Sequence, residues 1–578
     1  MLNALSVFLD GGNEDGPRRA ARSFEQQGFL PATRFEWEGG VLHTWMYPSQ
    51  SEIENCIVQT STGTACCIGP LWYRGQYGVA ALRSLLDDMI TPAQIDETKL
   101  RGNYVLFLYK NGCVWLMNDA LGFVRLYSSH DSRFYSTSWL AALAYEGHAE
   151  IDEAAAVEYV LLGASHSDRT IARGITILPL GNALDLTTRR TWPRFPAGIW
   201  TGAQTLNSFG TAVETISAYL QTVFSEIVTA FPGRVNAALS GGFDSRLIVA
   251  GLLACGERPK LFVYGDSESK DVAIAREIAK TEGITLNVVN KNKINQGLPL
   301  PDIEGLIRSA LFFDGLPNDG IYDPGADQRT RLEQTAGGYL ALNGGGGEIF
   351  RNFFHLPDRI YSAQDLVRAF YRGFDPAVFR RSDGLASYQE GLAVSISRSL
   401  GIGRPNVNEK LAREQVEMIY PLFRCHYWMG VNNSVAVRQG YYVTPLIDLQ
   451  TMRAACMLPL TWKNAGRLES LLITTLHQTI ANHLSVYSFR FSDGPGLRGR
   501  WLEWSTCRRP VFVRPFINAI RRRLHKLGVS PNMIAHCRAL LPGEWQLDPL
   551  LDLERLPNNE AFARALAVEV VWRKIAPS

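Results

Sequence analysis

The stretch NAALSGGFDSRLIVAG, Asn236 to Gly251, admits few backbones. An apolar run stops at Ser240-Gly241-Gly242-Phe243-Asp244-Ser245, and apolar spacing then resumes with a helical period. Adjacent glycines mark a tight turn whose backbone runs free of side chains. The flanks read as a strand entering and a helix leaving. In a parallel sheet, ligands gather beyond the carboxyl ends of the strands, and this turn falls there. Amides at the start of a helix, with its positive dipole end, suit an anion. Ser240 and Ser245 add hydroxyl donors. Asp244 is the discordant member. A carboxylate repels a bare phosphate, so its presence implies Mg²⁺ between it and a polyphosphate. No lysine follows the glycines, so the GxxxxGK[ST] phosphate loop is absent. The other reading is a strand–helix turn with no ligand.

The surroundings extend the pattern. Helical periodicity over 211–231 leads to the strand RVNAALS. After the turn come a helix ending near Cys255, a strand at 260–265, a helix over SKDVAIAREIAKTEG and a strand at 284–290. This alternation predicts a parallel sheet with helices on its faces, an α/β class. Residues 300–490 read as mainly helical, with one more strand at 339–343. Residues 1–195 read mostly as short strands. Asn111-Gly112 between two apolar runs over 103–118 is a hairpin signal, and 125–138 forms a second hairpin around His130-Asp131-Ser132. A helix is predicted from Asp152, as N-cap, to Leu162. The Pro/Trp/Gly-rich stretch 189–204 reads as a linker. Three units are expected: 1–195, 208–490 and a basic extension, 491–578.

Composition narrows the class. With 46% hydrophobic and 20% charged residues over 578 positions, the chain is that of a soluble globular protein. A formal charge of +2 argues neither for nor against nucleic acid. Nine cysteines show no CxxC spacing, which speaks against zinc and for a reducing cytoplasm. No signal peptide or membrane span is evident.

SGGFDS resembles the SGGxDS pyrophosphate loop of the ATP-pyrophosphatase superfamily. The rest resembles the asparagine synthetase family, which also includes beta-lactam synthetases and lasso-peptide cyclases. NDALGFVRLYSSHDSRFYSTSWLAALA (118–144) is similar to that family's D-P-L-G-x-R-x-L-Y-Y segment and the F-A-S-E stretch after it. Residues 151–186 resemble its run ending G-I-x-x-L-P-P-G. LALNGGGGEIF (340–350) is similar to L-S-G-x-G-x-D-E-x-F, and 438–463 to R-x-P-F-L-D…lP…K. The matches run in family order from about residue 100 to 475.

The resemblance implies an N-terminal Ntn-hydrolase-like α+β sandwich, of glutamine-amidotransferase type. A parallel-sheet ATP-pyrophosphatase domain (adenine nucleotide alpha hydrolase-like) with a helical C-terminal part would follow. It implies ATP and Mg²⁺ as cofactors and adenylation of a carboxylate, followed by attack of ammonia or an amine. Ser240, Gly241, Gly242 and Ser245 would hold pyrophosphate. Ala238 and Tyr264 stand where family backbone groups hold adenine and ribose, and Gly344 stands across the nucleotide pocket. The family's metal-binding aspartate aligns with Gly347, or Glu348 replaces it after a one-residue shift. Glu348 is therefore assigned with Asp244 to Mg²⁺ and to catalysis, its alternative role being a helix cap.

Departures matter as much. Active glutaminases of the family begin Met-Cys, and this chain reads Met1-Leu2; a leucine cannot attack an amide. The N-G-E-I-Y-N stretch has no counterpart between 40 and 80. No glutamine hydrolysis is expected. The family's catalytic lysine is expected near 467–470, where Arg467 is the cation on offer, although it is not an equivalent donor; Lys463 matches an earlier lysine. Among other residues, His355 and Arg351 are candidates to meet an acyl phosphate or nucleophile, while His426 and Trp428 read as core. The tail 497–528 carries arginines interleaved with aromatics. That is either a solvated basic face or a site for an acidic peptide, nucleic acid or anionic lipid.

The leading expectation is an AMP-forming amide ligase acting on a small-molecule or peptide carboxylate, with a homodimer compatible. A lasso-peptide or beta-lactam-type cyclase is the second reading. A non-catalytic nucleotide-binding scaffold is the third.

Overall fold

The computed structural model describes residues 2–48, 56–89, 95–195, 206, 208–402, 407–524 and 528–576. It is a mixed α/β structure with two six-stranded antiparallel sheets and one five-stranded parallel sheet.

The N-terminal part is built on period-two alternation. In the strand Val105–Lys110, Val105 and Phe107 join a core shared with Leu5, Val7 and Leu42 of the other sheet. Leu106 and Leu108 face the helix Gly78–Asp88, through Leu82 and Leu85. A side chain's face flips at each residue of a strand, so one run serves two cores. The helices Gly16–Gln26 and Trp139–Glu146 cover the outer face of the first sheet through Ala20, Phe24, Trp139 and Leu140. The layers are helix, sheet, sheet, helix. Asn111 and Gly112 take φ of 51° and 77° in the turn between Val105–Lys110 and Cys113–Asn118. That is the left-handed geometry a two-residue hairpin demands. The second expected hairpin pairs Tyr127–Ser128 with Phe134–Ser136, and Asp152 caps Glu153–Leu162 by accepting from the Ala155 amide at 3.0 Å.

The stretch expected as a linker opens with an edge strand, Arg190–Pro193, paired to Asn182–Asp185; residues 196–205 lie outside the described residues. The helix α1 (Phe209–Ala230) follows. Then come β1 (Val235–Ala238), α2 (Phe243–Ala254), β2 (Lys260–Tyr264), α3 (Lys270–Glu282), β3 (Leu286–Val289), β4 (Leu340–Leu342) and β5 (Tyr442–Val443). The sheet order is β3-β2-β1-β4-β5, all parallel. The chain winds outward from β1 to β3, then restarts on the other side of β1 at β4. That reversal opens a crevice at the carboxyl ends of β1 and β4.

Buried charges join the two parts. Asp314 accepts from Ser138 Oγ at 2.6 Å and the Trp139 amide at 2.7 Å, and pairs with Arg438 at 2.7 Å. Arg101 pairs with Glu226 at 2.7 Å and Asp448 at 3.1 Å. The span 491–578 does not behave as one extension. Its first part, to Leu524, lies largely exposed, whereas Asn559–Val570 is buried on every side from Ala561 onward. Arg564 within it donates to the carbonyl oxygens of Val160 and Asn318 at 2.8 and 2.9 Å. No helix among the described residues is long and apolar enough to cross a membrane.

Candidate active site

Two loops leave adjacent strands at the crevice. Ser240–Gly242 follows β1, and Asn343–Gly347 follows β4. Asp244 stands in the first turn of α2, and Glu348 on the short turn Gly347–Phe350. Gly347 is where the two loops nearly touch. A Cβ there would lie 2.7 Å from the Asp244 carboxyl carbon and 2.9 Å from Glu469 Oε1. The missing side chain is what lets the Asp244 and Glu469 carboxylates approach each other beside Glu348.

Asp244, Glu348 and Glu469 share one close cation. Arg351 NH2 donates to Asp244 Oδ1 at 2.6 Å, and its Nε lies 2.9 Å from Glu469 Oε2. Its guanidinium also covers the Phe243 ring at 5.2 Å. Tyr420 donates its hydroxyl to Glu348 Oε2. Glu469 is fully buried, beside Arg351 and in a hydrogen bond it shares with the Asp244 carboxyl. Three carboxylates against one guanidinium leave two negative charges over when all are ionised. Burial pushes the Asp244 carboxyl up to about 6 against the pull of Arg351, with Glu348 adding repulsion. Burial, then the nearby acids, hold Glu469 well above the ordinary carboxylate range despite Arg351. Buried carboxylates with surplus negative charge make an environment that a divalent cation relieves.

This fixes a pH dependence. Both acids bind protons more tightly folded than unfolded. Their contribution to stability is therefore full below about pH 4 and is lost as pH rises through about 6 for Asp244, and higher for Glu469. Millimolar MgCl₂ should raise the melting temperature near pH 8 and have little effect near pH 5, where protons already occupy Asp244 and Glu469. A magnesium effect equal at both pH values would contradict this.

The glycine–serine turn is less bare than its sequence suggests. The Ser240 amide donates to Ser245 Oγ at 2.9 Å, and Gly242 donates to Ser240 Oγ at 3.2 Å. The Gly241 amide donates to Asp271 Oδ1 at 2.8 Å, so a carboxylate already sits on this anion-binding nest. Val486 and Ile274 cover Gly241 so closely that a Cβ would meet them at 2.4 and 2.9 Å. Arg246, buried in α2, ties down this cover by donating to the carbonyl oxygens of His483 and Leu484.

Ala238, Tyr264 and Gly344 come together in a cavity of about 210 Å³, with Phe262, Asn343 and Gln334. Gln334 donates to the Tyr264 hydroxyl at 2.6 Å. The cavity reaches from β2 across β1 to β4 and β5, and Asp244, Glu348 and Glu469 are not among its lining residues.

Arg467 is not brought to the carboxylates. It is exposed and stacks on the Phe209 ring at 4.4 Å. Lys463 is fully buried and donates to Glu417 at 2.6 Å. His426 is core; burial lowers it to about 3, and its Nδ1 lies 2.7 Å from the Leu121 carbonyl oxygen. His355 stands with Glu503 and Cys507, their ligand atoms within 4.8 Å of one another. Arg514 donates to the Phe354 carbonyl oxygen at 3.0 Å and, behind burial, helps lower the His355 pKa, so positive charge already occupies that corner.

Three members of the cluster were not singled out from sequence. Arg351 was a candidate; Glu469, Tyr420 and Gly347's steric role were not. Glu469 does carry a signal. With Leu472, Ile473 and Leu476 it forms an i, i+3, i+4, i+7 stripe on the helix Arg467–Leu476. An acid on the buried stripe of an amphipathic helix is unusual without a partner. Tyr420 opens a ten-residue stretch, Tyr420–Met429, wound with i→i+5 hydrogen bonds. Such widening is frequent at functional sites and has no sequence signature.

No protein-family model and no curated protein matches this sequence. Among solved structures, a glutamine-dependent NAD⁺ synthetase from Acinetobacter baumannii, in complex with ADP, is 18% identical. The match covers 30% of this chain and 31% of that one, with a TM-score of 0.16. A glutamine phosphoribosylpyrophosphate amidotransferase from B. subtilis, complexed with ADP and GMP, is 9% identical over 50% of this chain and 65% of that one, with a TM-score of 0.20. This chain thus spans less than two thirds of either. At these TM-scores neither likeness bears on its fold or chemistry.

Proposed function

We propose that this chain is an ATP-dependent carbon–nitrogen ligase of the asparagine synthetase type. It would join a carboxylate to ammonia or an amine, with release of AMP and pyrophosphate. The carrying observation is the convergence of Asp244, Glu348 and Glu469, with Arg351, at the point where the sheet order reverses, beside the Ser240–Ser245 turn. In this reading the substrate carboxylate attacks the α-phosphorus of ATP and pyrophosphate leaves. The amine then attacks the acyl carbon and AMP leaves with the electrons of the broken bond.

The amides and hydroxyls of Ser240, Gly241, Gly242 and Ser245 receive the pyrophosphate, displacing Asp271 from Gly241. The cavity of Ala238, Tyr264 and Gly344 takes the nucleoside. Asp244 and Glu469 offer oxygens for Mg²⁺. Bound there, Mg²⁺ would neutralise charge developing on the leaving pyrophosphate. Glu348, held through Oε2 by Tyr420, keeps Oε1 for the cation or for the proton of the incoming amine. Arg351, paired with Asp244 and Glu469, would supply positive charge to the reacting phosphate.

Ammonium or an amine, but not glutamine, is the expected nitrogen source. The thiols of Cys66 and Cys67 are fully buried and raised far above their ordinary pKa by burial, so they stay protonated. AMP formation from ATP, carboxylate and ammonium, with none when glutamine replaces ammonium, is the expected assay result. Glutamate release from glutamine would overturn this part.

One observation favours the cyclase reading over simple asparagine formation. A cavity of about 930 Å³ is lined by Asn352 and Ser470, the chain neighbours of Arg351 and Glu469, and by Phe491, Glu503, Trp504 and Cys507. That is near the top of the ~300–1,000 Å³ range of small-molecule pockets, far more than aspartate fills. A large or peptidic carboxylate should therefore support ATP–pyrophosphate exchange where aspartate does not. A scaffold would bind Mg-ATP in calorimetry and make no AMP with any carboxylate.

A further inference from the structure

We propose that the helices Leu497–Cys507 and Arg514–Leu524 form an interfacial anchor that lays one face of this protein on an anionic lipid bilayer.

The observation is where the exposed apolar side chains are. Among the described residues, eight of the eighteen exposed large hydrophobic side chains fall within these 28 positions. Leu497, Trp501, Phe512, Phe516 and Leu524 are 61–79% exposed, values unexpected for side chains of this size in water. They are ordered along the helices. Leu497 and Trp501 are one turn apart on the first helix. Phe516, Ile520 and Leu524 follow at i, i+4 and i+8 on the second. Arginines are interleaved: eight in residues 497–524, against one glutamate. Arg508 stacks on Trp504 at 4.4 Å, which spreads its charge over an aromatic face. Basic residues flanking a Trp/Phe/Leu stripe, on helices of low overall hydrophobicity, are the composition of a segment that lies in the headgroup region without spanning it.

The pair is held to the protein from beneath. Asn352 donates to Cys507 Sγ at 3.5 Å, and Arg514 reaches the carbonyl oxygen of Phe354. Glu503 accepts from the Ala465 amide. The inner side is therefore committed, while Leu497, Trp501, Phe512, Phe516 and Leu524 are exposed.

Charge and shape select the occupant. A second copy of the chain would bring the same arginines against each other. Nucleic acid suits the arginines and tryptophans, but Leu497, Leu502, Ile520 and Leu524 offer a base neither stacking nor a hydrogen bond. A bilayer of acidic lipids takes both: phosphates meet guanidiniums, and the acyl boundary receives the aliphatic and phenyl groups. Glu503, Trp504 and Cys507 of the first helix also line the 930 Å³ cavity, so docking here brings that cavity beside the bilayer.

The test is sedimentation of the full chain with vesicles of phosphatidylcholine alone and of phosphatidylcholine mixed with phosphatidylglycerol. Binding should be at least tenfold tighter to the mixed vesicles and should weaken with salt. The triple variant Phe512→Ser/Phe516→Ser/Leu524→Ser should lose at least tenfold in vesicle affinity while melting like the parent, because these side chains are exposed. Arg508→Glu/Arg509→Glu should lose as much. Absence of binding to the mixed vesicles overturns the proposal. Binding undiminished in the triple variant does so too. So does equal binding to duplex DNA or polyglutamate that survives loss of the three apolar groups, since the patch would then be a generic polyanion site.

Discussion

Asp244→Asn should slow ATP–pyrophosphate exchange at least about a hundredfold, the scale of losing one preorganised charge at a phosphoryl site, while moving the melting temperature by only a few degrees. Both halves follow from one position. Asp244 starts α2, next to the turn that would hold the phosphates, and its Oδ1 takes the Arg351 guanidinium at 2.6 Å. Removing its charge takes away a metal ligand and releases Arg351 toward Glu469 alone. Stability changes little because burial already raises this carboxyl to about 6, so a neutral amide of the same shape is a small step from the native group. Exchange is measured with the carboxylate that supports it in the parent, and unfolding by calorimetry. Exchange within threefold of the parent would remove Asp244 from the chemistry; a large drop in melting temperature would show that its charge is structural.

Much of the architecture could be read in advance because local and tertiary preferences agree. Asn111-Gly112 carries the left-handed φ values its hairpin needs, so the turn and the register are written in two residues. The β1–α2–β2–α3–β3 alternation likewise follows from apolar runs broken by turn residues. What escaped is short or exposed. β5 has two residues and sits in RQGYYVTPLID, where no period can establish itself; it exists because β4 pairs with it. The strand Arg190–Pro193 is exposed at every position, so it has no apolar face to betray it, and its proline is tolerated because the strand is an edge. The buried end of the chain was hidden behind the charge of the segment before it.

The site divides in the same way. The Ser240–Ser245 turn is visible because glycine, serine and aspartate between a strand and a helix have few uses. Arg467 was attractive as the cation nearest a motif position, but it lies two residues from Glu469 on one helix. At about 100° per residue, those side chains point some 200° apart. One turns to Phe209 at the surface and the other into the cluster. The inward member is an acid, and the cation comes instead from Arg351, more than a hundred residues away. A one-dimensional match names a neighbourhood; the helix phase decides which residue reaches the chemistry.

Arg351→Met should cost about 3–5 kcal/mol of stability near pH 8, the loss typical of stripping one partner from a buried ionic group, and much less near pH 4. Arg351 lowers the proton affinity of both Asp244 and Glu469. Without it their folded pKa values rise further, and the two states then differ in bound protons over a wider range above the ordinary carboxylate values. Below about pH 4 both acids are protonated folded and unfolded, and only the lost packing over Phe243 remains. Divalent cation should restore part of the loss at pH 8, because Mg²⁺ can replace the missing charge beside Asp244 and Glu469. Denaturant titrations of parent and variant at both pH values, with and without MgCl₂, decide it. A pH-independent loss would mean Arg351 acts through packing. A loss that magnesium deepens would mean Arg351, not a metal, is the permanent counter-ion of these three acids, and the magnesium assignment would fall with it.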